Sequence, residues 1–287
     1  MLEEVHTMPY TDRETKVWNE ISEWEKNLFN YEPNDFQLTY EKYLERSFSL
    51  LPETVQKQFF SLVDTWLFHL HGMIQGSQLQ MDAKDRILSS GRVFIPNLEN
   101  ISDLKNLDIN QLQYIAEQHI ARHRLYSLAQ GGLAGTGSSL LLGMDIPAMA
   151  VINLRVVQLI AMTYGYEVNT PYEMMTSLKV FHIGTLPPRI QKEGWIMLKD
   201  ELEKYDNPYF YEGTEEISNI TWLEQPLQQV FKAMVIALFR RKMIQGMPLV
   251  SIAIGAGANY QLTRKVTELA HKYYQYRYLK EKEEFQI

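Results

Sequence analysis

Apolar side chains recur at helical spacing along most of the chain, and sustained period-2 alternation is scarce. Val17, Ile21, Trp24 and Leu28 form one stripe. It follows a capping box in which Thr11 and Glu14 can satisfy backbone N–H groups reciprocally. Pro33 and Asn34 end that helix. A second segment from about Phe36 carries Leu38, Tyr43 and Leu44, and Pro52 then opens a long helix through Trp66, Leu70 and Ile74. Residues 89–110, with Gly91 and Pro96, read as an irregular connector. Helical pattern returns over 111–129, 188–204, 222–242 and 262–282, with an exposed loop from 205 onward. The fold class this predicts is all-α, a multi-helix bundle. Its N-terminal helical region spans 1–110 and its core 111–287, the two forming one compact unit.

Two stretches stand apart. No charged residue lies between Arg124 and Asp145, and Gly131, Gly135, Ser139 and Gly143 recur there every four positions. On a helix this spacing aligns small residues on one face, where another backbone can approach closely. A helical glycine costs about 1 kcal/mol against alanine, so the row implies a packing gain that offsets it. A second uncharged run, between Lys242 and Arg264, places Ser251, Gly255 and Asn259 on one line with Gly257 beside it. Both runs approach the about 20 residues that cross a bilayer. Gln130, Thr136 and Ser138 dilute the first, and Gln245, Pro248 and Gln261 the second. A buried helix pair is the first expectation, ahead of a partly inserted pair and of true spans.

The segments 155–164 and 264–273 share Arg, Val, Ile or Leu, Ala and Tyr at a constant offset of 109. An internal duplication of a helix pair is one reading; the pattern common to all amphipathic helices is the other.

Charge adds a direction. The formal net charge is −7, against general nucleic-acid binding. Residues 1–110 carry 10 basic and 18 acidic side chains, whereas 221–287 carry 10 and 5. A basic C-terminal end on an acidic body points to an anionic membrane surface as partner. There is no cysteine, which removes disulfides and thiolate chemistry. The acidic start, Met1 to His6, lacks the basic and apolar regions of a signal peptide, so a cytoplasmic location is expected.

The stretch Gly131-Gly132-Leu133-Ala134-Gly135-Thr136-Gly137, then Asp145-Ile146-Pro147, Asn153-Leu154-Arg155 and Ala161-Met162-Thr163-Tyr164-Gly165-Tyr166, resembles the core of the EcsC family. Pro248 with Gly255-Ala256-Gly257-Ala258-Asn259-Tyr260 is similar to its C-terminal signature, and Trp24-Glu25-Lys26 to its start. The resemblance implies an association with ABC transporters, in a system linked to secretion and protein processing. It implies no chemistry.

His119 and His123 are four apart on one helix and could face one metal, but Ile120 stands where a zinc protease needs glutamate, and arginines flank them. No metal is expected, and no cofactor. Asp145 reads as the N-cap of a helix starting at Pro147, or else as a buried acid paired with Arg155. With Asn259 these residues form the candidate polar site. Gly135-Thr136-Gly137 lacks the third glycine of a dinucleotide fingerprint, since Leu140 occupies its place. The tyrosines of 273–280 suit either a headgroup layer or the closing of a core. The function expected is a non-enzymatic accessory protein at the cytoplasmic membrane face. The alternatives are a hydrolase centred on His119, His123 and Asp145, and a lipid or small-molecule carrier.

Overall fold

The structure, a computed structural model, describes residues 10–33, 35, 69–134, 139–204 and 248–284. The elements expected at 36–68 and 222–242, and the loop from 205, lie outside the described residues, as does Gly135. Seven α-helices are described, and no strand occurs among the described residues. They are α1 (Asp12–Phe29), α2 (Gln78–Arg92), α3 (Ile109–Ala134), α4 (Ser139–Thr163), α5 (Pro171–Thr185), α6 (Pro188–Lys204) and α7 (Pro248–Glu284). A helical stretch at 69–75 precedes α2, and a 3-10 turn, Ile101–Asn106, precedes α3. The fold is therefore an all-α bundle.

α1 starts as its sequence dictates. The Thr11 backbone N–H donates to Glu14 Oε2 at 2.9 Å, and the Glu14 N–H donates to Thr11 Oγ1 at 3.3 Å. Its apolar stripe buries Val17, Ile21 and Leu28. α7 is the axis of the molecule. Its 37 residues extend about 55 Å, packing against α3, α4, α5 and α1. One continuous core runs from Val17 and Ile21 through Ile120 and Leu159 to Leu279, so residues on both sides of position 110 share it.

Three expectations change. The first glycine row does not lie on one helix: Gly131 belongs to α3 and Gly143 to α4, separate elements that pack on each other. From Pro248 onward the second uncharged run and the last helix are one element, α7. Helix α4 also runs without a break through Asp145, Ile146 and Pro147. Asp145 is thus seven residues into a helix; the chain tolerates the proline's missing N–H there instead of starting a new helix.

Packing also fixes glycines outside the two rows. A Cβ on Gly91 would stand 2.6 Å from Leu104 Cδ2, and one on Gly184 would stand 2.9 Å from Val266 Cα. Gly257 is exposed, and a Cβ there would meet no described atom within 4 Å. No helix among the described residues is long and apolar enough to cross a membrane.

Candidate functional site

The tyrosine-rich C-terminal segment faces inward. Tyr273, Tyr274, Tyr276 and Tyr278 are all buried, and Trp195 packs edge-on against Tyr273 and Tyr276. The cations among them are spoken for: Arg277 pairs with Glu173 and Glu281, Lys280 with Glu283, Lys282 with Glu14 and Lys272 with Glu20. This stretch closes the core, and the headgroup-layer alternative is removed for it. The basic surplus expected to meet an anionic partner is neutralised here.

Arg86, Arg122 and Arg155 lie on α2, α3 and α4, three helices that touch one another. His119 and His123 lie on the inner face of α3, 7% and 3% exposed. The His123 Nδ1–H donates to the His119 carbonyl at 2.9 Å, which leaves Nε2 as an acceptor; that atom is buried without a hydrogen-bond partner. Burial, followed by mutual repulsion and the charges of Arg122, Arg86 and Arg155, lowers His119 to about 4. Burial likewise lowers His123 to about 4, its backbone bond to His119 opposing the shift and the same three arginines adding to it. Both imidazoles are therefore neutral near pH 7.

Arg155 reaches from α4 to α2, where its Nη2 donates to the Leu79 carbonyl at 2.7 Å, while its buried Nε has no partner. Burial lowers its pKa, and Arg86 adds to the effect. Among the described residues, Arg86, Arg122 and Arg155 make no ion pair. Tyr126 packs edge-on against His123 with ring centroids 5.4 Å apart. Of the sequence candidates, His119, His123 and Arg155 thus come together. Asn259 does not join them: it donates to Gln130 Oε1 at 3.0 Å and links α7 to the end of α3. The side chain of Asp145 lies outside the described residues, as do the surroundings of Gly143 and Gly255.

A polar network missed by the sequence reading continues along α4. Gln158 Nε2 donates to His71 Nδ1 at 3.0 Å, and Gln158 Oε1 accepts from Gln75 at 3.1 Å and from Gln80 at 3.4 Å. These residues back a cleft of about 110 Å³ lined by Gln75, Gln80, Lys84, Glu167 and Asn169. Scattered glutamines carry no spacing signal; only the fold gathers them. Among the described residues no group of three or more His, Asp or Glu is placed to hold a metal ion.

The sequence profile of the EcsC protein family matches residues 15–279. The chain is similar to a Bacillus subtilis protein described as uncharacterized protein YdbA, at 24% identity over 269 residues, 92% of each chain. It is also similar to protein EcsC of the same organism, at 24% identity over 179 residues, which is 62% of this chain and 69% of that one. No solved structure matches it.

Proposed function

The chain belongs to the EcsC protein family, and from that premise we propose that it is a non-enzymatic accessory protein at the cytoplasmic face of a membrane. There it assists an ABC transporter linked to secretion or protein processing. The observation that carries this reading is the asymmetry of one end of the bundle. The end of α3 meets the first part of α7 there through Gln130 and Asn259, and α4 starts five residues after α3 ends and packs on it. Residues 125–134 of α3 and 248–263 of α7 carry no charge, and 139–154 of α4 carry only Asp145. Where the charge-free segments stop, Arg122, Arg155, Arg264 and Lys265 follow. Leu125, Tyr126 and Leu128 stand exposed beside them, at 62%, 49% and 40%. Apolar and aromatic side chains can seat in a headgroup layer while the arginines meet lipid phosphates.

Two observations weigh against the alternatives. His119 and His123 are buried, which keeps both from meeting a substrate as a hydrolase base must. The described clefts mix charged and amide side chains with apolar ones, unlike the predominantly apolar cavity of a lipid carrier. Flotation of the full chain with phosphatidylglycerol vesicles is the test. Binding above that to phosphatidylcholine vesicles, weakened by salt, is expected. Equal binding to both sinks the reading. Retention by transporter-containing membranes above protein-free vesicles tests the partner.

A further inference from the structure

Helix α3 buries one face and leaves the other bare. Leu112, Ala116, His119 and His123 are buried on its inner side. On the outer side Tyr114, Gln118, Ala121, Leu125 and Leu128 are all exposed, at intervals of four, three, four and three residues. That alternation is the a and d seam on which two helices wind together. From Tyr114 to Leu128 the seam is about 21 Å long. α3 is already held in the bundle by α4 and α7, so association along it carries no cost of forming the helix.

Two polar features say what covers this seam. Gln118 stands near its middle, and its amide makes no hydrogen bond among the described residues. In a parallel pair of identical helices each a residue meets itself, and one amide can both donate to and accept from another. A single polar a position of this kind fixes register and favours two strands. In an antiparallel pair centred on Ala121, Gln118 faces Leu125 and its amide is covered without a partner, which costs stability. Charge points the same way. Glu117 and Arg122 are exposed at the two edges of the seam, five residues apart. Five residues is the offset at which an edge residue of one helix meets the opposite edge of its parallel partner. A two-fold axis makes the Glu117–Arg122 contact twice, whereas the antiparallel arrangement sets Arg122 beside Arg122. Arg122 makes no ion pair among the described residues, and Glu117 accepts from the Gln113 amide through Oε1 at 2.9 Å, with Oε2 left for a partner.

We propose that the outer face of α3 is the interface of a parallel two-fold homodimer of this chain. Tyr114, Ala121, Leu125 and Leu128 pack between the copies, Gln118 pairs across the axis, and Glu117 bridges to Arg122 of the second copy. The dimer does not rest on the membrane reading, and it is measured without lipid. Parallel helices bring both charge-free ends to one side of the dimer. Leu125 and Leu128 serve the second copy in solution, so a bilayer competes for them.

Sedimentation velocity of the full chain, without vesicles and across micromolar concentrations, should show a species of twice the 33.6 kDa chain mass. Glu117→Arg or Arg122→Glu alone should weaken the dimer about tenfold, since each turns two attractive contacts repulsive. The double variant Glu117→Arg/Arg122→Glu should recover the parent affinity. All these side chains are exposed, so the fold survives the changes. The chain has no cysteine of its own, so Gln118→Cys should form a disulfide with itself between copies under mild oxidation. Lys16→Cys, on the exposed face of α1, should not. A monomer at every concentration overturns the proposal. So does a dimer in which Gln118→Cys cross-links no faster than Lys16→Cys, or in which the double charge reversal fails to recover.

Discussion

Arg277 and Glu173 form a buried two-point ion pair. The guanidinium donates through Nη1 to Oε2 at 2.8 Å and through Nη2 to Oε1 at 2.6 Å, and so fastens α7 to α5. The two side chains are 4% and 6% exposed. Arg277 also donates to Glu281 at 2.9 Å and lies over the Tyr166 ring, 3.8 Å from its centroid. Burial opposes the charge on Arg277, yet Glu173 and the surrounding rings hold its pKa well above the ordinary value. The pair is satisfied at both ends, which is the condition under which buried charges are tolerated.

Removing one end leaves the other charged and dry. Glu173→Leu alone, or Arg277→Met alone, should lower unfolding free energy by about 3–5 kcal/mol. The double variant Glu173→Leu/Arg277→Met should lose much less than the sum, because no orphan charge remains. Urea denaturation of the three proteins checks this, and additive losses would refute the coupling.

Close helix contact predicts opposite outcomes at two glycines. At Gly184 a Cβ meets the backbone of Val266 at 2.9 Å, so Gly184→Ala should cost about 1–3 kcal/mol by forcing α5 from α7. At Gly257 a Cβ meets nothing described, so Gly257→Ala should be neutral or stabilise α7 by up to about 1 kcal/mol. Thermal midpoints of both variants measure the contrast. A loss at Gly257 equal to that at Gly184 would show that Gly257 is packed after all.

Those glycines show what the sequence could and could not reveal. The capping box at Thr11 and the stripe of α1 are local chemistry, and the structure reproduces them. α5 was not legible from periodicity because it is buried on all sides, with Ser177, Leu178, Lys179, Val180 and His182 all inside. Its start signal was present: Thr170 caps Glu173, with Pro171 in the first turn. Gly184 carries no mark in sequence, since the partner that demands it, Val266, is 82 residues away. At the candidate site, the His119 and His123 spacing was legible. That Arg86 from α2 and Arg155 from α4 would face them was not, because only the tertiary fold supplies it.

Acid should destabilise the protein earlier than its carboxylates alone require. His71, His119, His123 and His182 are lowered to about 4 and His271 to about 3, burial being the leading cause in each. Arg86, Arg122 and Arg155 face His119 and His123, while Lys272 and Arg124 face His271, so no carboxylate offsets the burial. The unfolded chain binds protons at 6.5 and the folded chain only near 4. Stability is therefore complete above pH 6.5 and falls as pH drops from 6.5 towards 4. For His71 burial is the cause, and its Nδ1 accepts from the Gln158 N–H, a bond that a proton there would break. Urea midpoints between pH 7.5 and 4.5 report the loss, and a flat profile from 7 to 5 would contradict it.

The exposed face of α3 changes character along its length. Glu117 and Gln118 are exposed near the middle, and Arg122, Leu125, Tyr126 and Leu128 follow towards the charge-free end. If that end meets an anionic bilayer, Leu125→Glu and Leu128→Glu place two carboxylates where apolar groups seat. Each loses buried apolar area in the bound state and repels lipid phosphate. Neither touches the core, so unfolding free energy should move by no more than about 0.5 kcal/mol. Flotation on phosphatidylglycerol vesicles should fall to the phosphatidylcholine level. Arg264→Glu should instead weaken flotation mainly at low salt, since an exposed cation acts through screened attraction. If the leucine variants float like the parent protein while the arginine variant does not, binding is electrostatic only, and the apolar end has no part in it.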